Sequence, residues 1–304
     1  MKPRGAQPLA AALVSVGRRF LWDLEGEDRP GEYIYVPPGG LTMPFSQPTN
    51  GFRLHYLRSG EGPPVVLVHG NPGDNKEYSK LLPLLTPHAD VVVPDLRGYG
   101  RSDKHLKDVG NAYALSGQVD GVIALIDELG ISDAVPCGYD VGSFTVQTIA
   151  VKRPDLARSL VIAPPTMGVG RRILEEEAVN AFLHAILYKT TLVEDLIDGK
   201  PDAVRAALKE NLQNWSAPGS DVVDELLDHL TENHSAPGAF VAGVMWFRFP
   251  EGNPITYYAN EKKPERADRF SKPITILWPD KDPLFRRNGA TTCPTSTVTT
   301  HSIS

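Results

Sequence analysis

The sequence predicts an α/β fold with a mostly parallel sheet and a helical subdomain inserted between two of its strands. Short, continuous apolar runs occur at 65–68 and 91–93, as expected for parallel strands that are covered on both faces. Segments with helical periodicity alternate with such runs up to about residue 163. The alternation then stops for about 110 residues and resumes with a last clear strand at 273–278.

The predicted elements define a core and an insert. Before the insert they comprise a half-buried, alternating strand at 52–57, buried strands at 65–68, 91–93 and 159–163, and helices at 115–129 and 144–151. The interruption has helical periodicity at 192–197, 202–212 and 221–230. We therefore expect an N-terminal extension at 1–50, an α/β core at 51–165 and 266–304, and a helical cap at 166–265.

Composition limits the partners and the compartment. The chain has 304 residues, 41% of them hydrophobic and 22% charged, as in an ordinary soluble globular protein. A net charge of −6 argues against a nucleic-acid partner, because no basic excess is present to neutralise phosphates. Cys137 and Cys293 lie far apart, which makes a reduced, cytoplasmic compartment the default. The apolar stretch at 9–16 favours a short amphipathic arm over a signal peptide, and no run reaches the roughly 18 residues of a membrane helix.

The most informative motif is Gly138-Tyr139-Asp140-Val141-Gly142, which lies between a predicted strand and a predicted helix. A sharp strand-to-helix turn exposes its central side chain above the sheet, and flanking glycines relieve crowding there. The N-terminus of the following helix stabilises negative charge. Asp140 is therefore a candidate nucleophile. Aspartate is also a good helix N-cap, so this motif by itself leaves both interpretations open.

Two upstream loops give the motif its context. His69-Gly70-Asn71-Pro72-Gly73 closes the strand at 65–68, about seventy residues before the turn. A loop in this position supplies one backbone N–H of an oxyanion hole, near Asn71, and the N–H of Val141 supplies the other. The loop at 95–103 reads Asp-Leu-Arg-Gly-Tyr-Gly-Arg-Ser-Asp, and we interpret it as structural.

Together these motifs resemble the α/β-hydrolase superfamily and, within it, the epoxide hydrolase and haloalkane dehalogenase branch. The resemblance rests on 69–73, 95–103, 138–142 and 278–284, with further similarity in the cap at 203–215 and 235–240, and covers roughly residues 50 to 285. It implies a triad acid just after the penultimate strand, where Asp282 stands, with Asp280 as the alternative. Both aspartates are also suited to capping the following turn.

An aspartate nucleophile restricts the substrates. Its carboxylate is already anionic at neutral pH and attacks without a base. Attack on a carbonyl would give a labile anhydride, whereas attack on sp³ carbon gives a stable alkyl ester, which selects epoxides and alkyl halides. A histidine then activates the water that hydrolyses the ester, while the N–H groups of Asn71 and Val141 hold the oxyanion.

The two substrate classes need different helpers. In epoxide hydrolases two cap tyrosines protonate the opened ring; the resemblance places Phe247 at one position and Tyr188 or His184 at the other. Either of the latter can hydrogen-bond an epoxide oxygen, although Tyr188 fits a packing role equally well. In haloalkane dehalogenases a tryptophan follows the nucleophile, where Val141 stands here, and Asn71 matches one residue of the halide-binding pair. We favour epoxide hydrolysis to a diol, with carbon–halogen hydrolysis as the alternative.

The end of the sequence departs from the expected pattern. The fold should add one more helix and strand, followed by the catalytic histidine, yet 286–304 has almost no large apolar residues. His301 is the histidine that remains, and it would serve as the base if 297–300 formed a poor edge strand. Otherwise the chain keeps its nucleophile and lacks its base. The last helix and strand are therefore in question, and a catalytically impaired α/β-hydrolase-like protein is a third interpretation.

The expected partner is a small-molecule substrate, an epoxide or an alkyl halide. The chemistry needs no cofactor, and no pair of His or Cys residues shows metal-ligand spacing. We therefore expect neither a cofactor nor a metal.

Overall fold

The central sheet confirms the predicted α/β fold. A computed structural model describes residues 40–164, 170–216, 224–260, 270–279 and 298–303, the last segment by its backbone alone. Within these residues eight strands form one sheet in the order β1-β2-β4-β3-β5-β6-β7-β8. They are β1 (Leu41–Thr42), β2 (Tyr56–Ser59), β3 (Pro64–Val68), β4 (Asp90–Pro94), β5 (Val135–Gly138), β6 (Leu160–Ile162), β7 (Ile274–Pro279) and β8 (Val298–Ile303). The pairs β1–β2 and β2–β4 are antiparallel, and the others are parallel.

Helices alternate with the first strands and then follow one another between β6 and β7. The former are α1 (Leu82–Leu85), α2 (Leu115–Glu128) and α3 (Val141–Lys152). The latter are α4 (Glu176–Ala181), α5 (Leu183–Leu187), α6 (Leu192–Leu196), α7 (Pro201–Trp215), α8 (Asp224–His234), α9 (Ala239–Val244) and α10 (Pro254–Ala259). Single 3-10 turns lie at Asn75–Tyr78, Gly170–Leu174 and Met245–Arg248. In the part of the chain that the structure describes, no helix has the length and apolar character needed to cross a membrane.

The apolar runs form strands because each face of the sheet is covered. Along β3, Val66 and Val68 pack on one face with the buried residues of α2 and α3, whereas Val65 and Leu67 pack on the other. All four are fully buried. Side chains alternate between faces with period two, so an unbroken apolar run is what a doubly covered strand requires. The carboxyl ends of these parallel strands carry the loops of the site.

The segment in question near the C-terminus contains a strand. The backbone of β8 pairs with β7 in parallel, with Leu277 opposite His301, and the strand includes the β-branched residues Val298, Thr299 and Thr300. β-Branched residues favour extended backbone even where large apolar side chains are lacking, which is why composition alone was a poor guide here. The expected preceding helix falls outside the described residues.

The register fixes the level of His301 in the sheet. Gly138 pairs with Ile162, Ile162 with Ile276, and Ile276 with Thr300. His301 therefore stands one residue beyond the level of Gly138, but three strand spacings, or about 14 Å, to the side. The resemblance places a catalytic histidine in the loop after the last strand. His301 instead lies within β8.

Candidate active site

Asp140 occupies a strained turn between β5 and α3. Its backbone has φ 50° and ψ −125°, a conformation that L-residues rarely adopt. A Cβ atom on Gly142 would collide with the carbonyl oxygen of Val68, so the turn approaches β3 too closely for any other residue there. The glycine of the motif thus lets the elbow pack against the neighbouring strand. The half-buried Asp140 side chain is held at the carboxyl edge of the sheet.

Backbone donors from two loops hold the Asp140 carboxylate. The N–H of Asn71 donates to Oδ2 at 2.7 Å, and the N–H of Val141 also hydrogen-bonds the carboxylate. Burial raises the pKa of Asp140 above its usual value, while these two hydrogen bonds act in the opposite direction. The N-terminus of α3 adds a favourable field for an anion. This geometry fits a carboxylate that is short of water yet still stabilised as an anion.

The side chain of Asn71 is committed to the protein. Its Nδ2 donates to the hydroxyl of Tyr99 at 3.1 Å and to the carbonyl of Gly243 in the cap at 3.2 Å. Its Oδ1 is buried without a hydrogen-bond partner among the described residues. Both amide hydrogens therefore have protein acceptors, and neither is left for a halide ion.

Two histidines at the loop 69–73, His69 and His234, are engaged in hydrogen bonds with the protein backbone. His69 is fully buried: its Nε2 accepts from the N–H of Leu96 at 2.9 Å, and its Nδ1 donates to the carbonyl of Gly70 at 2.8 Å. His234 donates from Nε2 to the carbonyl of Pro72 at 2.9 Å, and burial lowers its pKa. Both rings are thus structural ties of the loop 69–73. Neither is placed as a base for water.

Tyr188 lies beside Asn71 across the boundary between cap and core. Both residues line a cavity of about 10 Å³, together with Pro72, Leu208, Asn211, His234, Phe240, Gly243 and Val244. That volume holds about one water molecule. Tyr188 contributes a hydroxyl to this cavity; its side chain is 2% exposed, and burial raises its pKa to about 12.

The oxygen of Tyr188 accepts a hydrogen bond from Nδ2 of Asn211 on α7 at 2.5 Å. Donation to the phenol oxygen lowers its pKa and leaves its own proton free for another acceptor. Asn211 was not predicted from the sequence. Its signal is a polar residue on the buried stripe of α7, at helical spacing from Val204 and Leu208.

The other cap candidates are packing residues. His184 lies among the rings of Phe182, Tyr188, Trp215 and Phe247, with centroid distances of 4.8 to 5.7 Å, and burial lowers its pKa to about 4. Phe247 is 7% exposed and has no proton to give. Tyr188 is therefore the better placed of the two predicted donors.

The triad partners proposed from the sequence stay predictions. Asp282 and its alternative Asp280 lie outside the described residues, and His301 is described only by its backbone. Among the described positions, no group of three or more His, Cys, Asp or Glu side chains is arranged to hold a metal ion. The structure thus brings together Asp140, Asn71 and Val141, and Tyr188 lines a cavity with Asn71.

The sheet, the elbow and the donor loop define a protein of the α/β-hydrolase fold, and comparison with known proteins agrees. The alpha/beta hydrolase fold family matches residues 63–190. A haloalkane dehalogenase of Mycobacterium marinum is 34% identical over 252 residues, which cover 79% of this chain and 76% of that protein. The chain therefore belongs to the α/β-hydrolase family, in the branch that holds haloalkane dehalogenases and epoxide hydrolases, and this confirms the resemblance stated from the sequence.

Other relatives share shorter segments or the fold alone. A cis-3-alkyl-4-alkyloxetan-2-one decarboxylase of Shewanella oneidensis is 37% identical over 114 residues, 37% of this chain and 36% of that protein. The matches span little more than a third of the first three curated relatives. The crystal structure of an epoxide hydrolase from Bacillus megaterium with an inhibitor has a TM-score of 0.68 at 19% identity, covering 86% of this chain and 92% of that one.

Proposed function

We propose that this chain hydrolyses epoxides to diols through a covalent ester on Asp140. The observation that carries the proposal is the Asp140 carboxylate, which the strained elbow holds at the carboxyl edge of the sheet and to which the N–H of Asn71 donates at 2.7 Å. A carboxylate in this position attacks sp³ carbon without a base. The same two N–H donors stand ready for the oxyanion of the second step.

In the first step one carboxylate oxygen of Asp140 attacks a ring carbon of the epoxide. The carbon–oxygen bond of the ring breaks, its electron pair goes to the ring oxygen, and that oxygen takes the proton of the Tyr188 hydroxyl. The result is a hydroxyalkyl ester on Asp140. Donation from Asn211 supports the transfer because it stabilises the phenolate that Tyr188 becomes.

In the second step water attacks the ester carbonyl, which is the former carboxyl carbon of Asp140. A base takes one proton of the water, and the tetrahedral oxyanion forms between the N–H groups of Asn71 and Val141. On collapse the leaving oxygen takes the proton that the base holds and departs as the diol, while the proton of the re-formed Asp140 carboxyl passes to the Tyr188 phenolate and restores the starting state. The chain's candidates for the base and its acidic partner are His301 and Asp282.

The polar groups around Asp140 favour an epoxide over a halide. Ring opening needs a proton donor, and Tyr188, whose oxygen accepts from Asn211 and which lines a cavity with Asn71, has a hydroxyl proton to give. Halide departure needs donors for the ion, but both amide hydrogens of Asn71 already bind Tyr99 and Gly243. Val141 offers no side-chain donor after the nucleophile.

Carbon–halogen hydrolysis is the second candidate, because the Mycobacterium marinum relative is named a haloalkane dehalogenase. It would use the same ester on Asp140, with halide released in place of proton transfer. For this route the Asn71 amide would have to leave Tyr99 or Gly243 and turn toward the halide.

Intact-mass spectrometry after incubation with a panel of epoxides and alkyl halides tests the proposal. An epoxide adds its whole mass to the protein, whereas an alkyl halide adds its alkyl group with loss of halide. We expect epoxide adducts on Asp140, none with Asp140→Asn, and wild-type behaviour for the exposed control Asp133→Asn. An adduct that survives Asp140→Asn would remove Asp140 as the nucleophile.

Product analysis separates the remaining interpretations. Diol formation from epoxides with steady turnover shows a working base. Halide release from alkyl halides, with no diol formed from epoxides, supports the second candidate. An adduct that forms and persists identifies a chain that has its nucleophile and lacks its base. This last result follows because alkylation of Asp140 needs no histidine, while hydrolysis of the ester does.

A further inference from the structure

Tyr139 and Glu77 connect the two loops that carry the oxyanion donors. Tyr139 directly precedes Asp140 in the elbow, and its hydroxyl donates to the carboxyl of Glu77 on the 3-10 turn Asn75–Tyr78. The backbone of Gly70, the neighbour of Asn71, also hydrogen-bonds the Tyr139 hydroxyl. One side chain of the elbow therefore binds both ends of the loop that holds Asn71.

Close packing leaves this connection little freedom. A Cβ atom on Gly70 would come within 2.6 Å of Cβ of Asp140 and 2.7 Å of Cε2 of Tyr139. A Cβ atom on Gly73 would collide with the carboxyl of Glu77. Since backbone and side chains are already in contact on both sides, the Tyr139 ring cannot shift without moving one loop against the other.

We infer that the Tyr139–Glu77 pair is a brace that sets the separation of the Asn71 and Val141 N–H donors and thereby controls cleavage of the ester on Asp140. The inference rests on the proposed function, which forms that ester. Tyr139 and Glu77 are positioning residues, because they act on the donors and need not touch the substrate. Tyr78, on the same 3-10 turn, also contacts the Tyr139 ring edge to face, at a centroid distance of 6.3 Å.

The brace affects the two chemical steps differently. In the first step the carboxylate loses its charge as the ester forms, so the N–H donors stabilise the starting state more than the transition state. In the second step an oxyanion develops between the same donors, and their position then lowers the barrier. Misplaced donors therefore slow ester cleavage and leave alkylation of Asp140 nearly unchanged.

The charge of Glu77 adds a pH dependence. Burial raises its pKa to about 8, the hydrogen bond from Tyr139 opposes this rise, and the charges of Asp74 and Asp140 add to it. The titratable groups that face it are Asp74 and Tyr78 from its own loop and Tyr139 and Asp140 from the elbow. Below about pH 8 a neutral Glu77 places no charge beside the oxyanion, whereas its ionised form opposes the second step.

The experiment measures the two steps separately by intact-mass spectrometry. The ester is formed with an excess of epoxide, the excess is removed, and loss of the adduct is followed in hydroxylamine. Hydroxylamine attacks the ester carbonyl without the enzyme's base and stays neutral from pH 7 to 9, so the readout is independent of a catalytic histidine. The variants are Tyr139→Phe, Glu77→Ala and Glu77→Gln, with Lys76→Ala as an exposed control on the same turn.

We expect alkylation rates within about threefold of wild type for all variants. Ester cleavage should slow about tenfold or more in Tyr139→Phe and Glu77→Ala, because the donors lose their placement. Glu77→Gln keeps a hydrogen-bond acceptor for Tyr139, so its cleavage should match wild type near pH 7. It should also lack the slowing that wild type shows above pH 8.

The outcomes separate this inference from the proposed function. Absence of both an adduct on wild-type Asp140 and diol formation overturns both. Normal alkylation with wild-type cleavage rates in every variant overturns the brace alone, and so does equal slowing of both steps. If Tyr139→Phe fails to fold, as checked by near-ultraviolet circular dichroism, the cleavage rates of Glu77→Ala and Glu77→Gln at pH 7 still decide: equal rates reject the brace.

Discussion

Nε2 of His229, on cap helix α8, lies 2.7 Å from Oδ2 of Asp74, which sits in the core loop just after Gly73. Asn233, one turn further along the same helix, donates to the same oxygen at 2.5 Å. Asp74 also accepts from the N–H of Lys76 and so begins the 3-10 turn of the core. This buried carboxylate therefore adds two hydrogen bonds to those that His234 and Asn71 already form between the cap and the loop 69–73.

Asp74→Asn should lower the free energy of unfolding by about 1–3 kcal/mol near neutral pH, because buried donors lose a charged acceptor. Burial by itself raises the pKa of Asp74, but the hydrogen bonds from His229 and Lys76 outweigh it and hold the pKa below 3.8. A depressed pKa stabilises the fold above the unfolded value, and this contribution is lost as pH falls through the folded value. Urea denaturation near pH 7 and near pH 3 measures both effects, with the exposed Asp195→Asn as control. An equal difference at both pH values would contradict the expectation.

Asn211→Leu should slow alkylation of Asp140 by epoxides about tenfold or more and leave alkylation by alkyl halides nearly unchanged. The reason is that ring opening needs the proton of Tyr188, which Asn211 orients, whereas halide departure does not. Tyr188→Phe should give the same pattern, more strongly. Mass-spectrometric rates with paired substrates provide the measurement. Equal slowing for both substrate classes would show that Asn211 only supports packing.

Gly142→Ala should destabilise the protein by about 3 kcal/mol or more, since its Cβ would meet the carbonyl oxygen of Val68. Because the added Cβ and the Val68 carbonyl are both fixed by the backbone, the elbow or β3 would have to move. Val151→Ala, on the exposed face of the same helix, should cost under about 1 kcal/mol. Thermal denaturation of both variants tests this. A Gly142→Ala protein with wild-type stability would contradict the described closeness of elbow and strand.

Glu77→Gln should change how stability depends on pH. Burial raises the pKa of Glu77 from 4.5 to about 8, so between these values the folded state holds a proton that the unfolded state has lost. The free energy of unfolding of wild type should therefore fall as pH rises across this window, by at most roughly 1.4 kcal/mol per pH unit. Glutamine cannot ionise, and the variant should lack this slope. Urea denaturation at several pH values from 5 to 8 compares the two proteins, and parallel curves would reject the shift.

The order of strands and helices was predictable because local hydrophobic patterns indicate each of them. The faces that are buried determine the apolar runs of β3 and β4 and the helical periodicity of α2. Both patterns can be recognised within a short stretch of sequence. The elbow was predictable for a similar reason, since two glycines around Asp140 mark a turn that crowds its neighbours. The last strand was not, because threonines in β8 give extended backbone without an apolar run.

The relations between loops were beyond local patterns. That Asn211 bonds Tyr188, 23 positions away, and that Tyr139 bonds Glu77, 62 positions away, follows from how the cap and the sheet bring distant segments together. The commitment of the Asn71 amide to Tyr99 and Gly243 is of the same kind. These contacts decide which polar groups remain free for a substrate.

The sequence by itself determined the fold class, the family and the identity of the candidate nucleophile, because glycine spacing and apolar periodicity are local consequences of backbone geometry. The tertiary structure decided what holds that nucleophile, two backbone donors on the Asp140 carboxylate, and how other side chains are engaged: the Asn71 amide with Tyr99 and Gly243, and the Tyr188 phenol with Asn211. Hydrogen bonds between distant segments depend on the packing of the whole chain, and no short stretch of sequence records them.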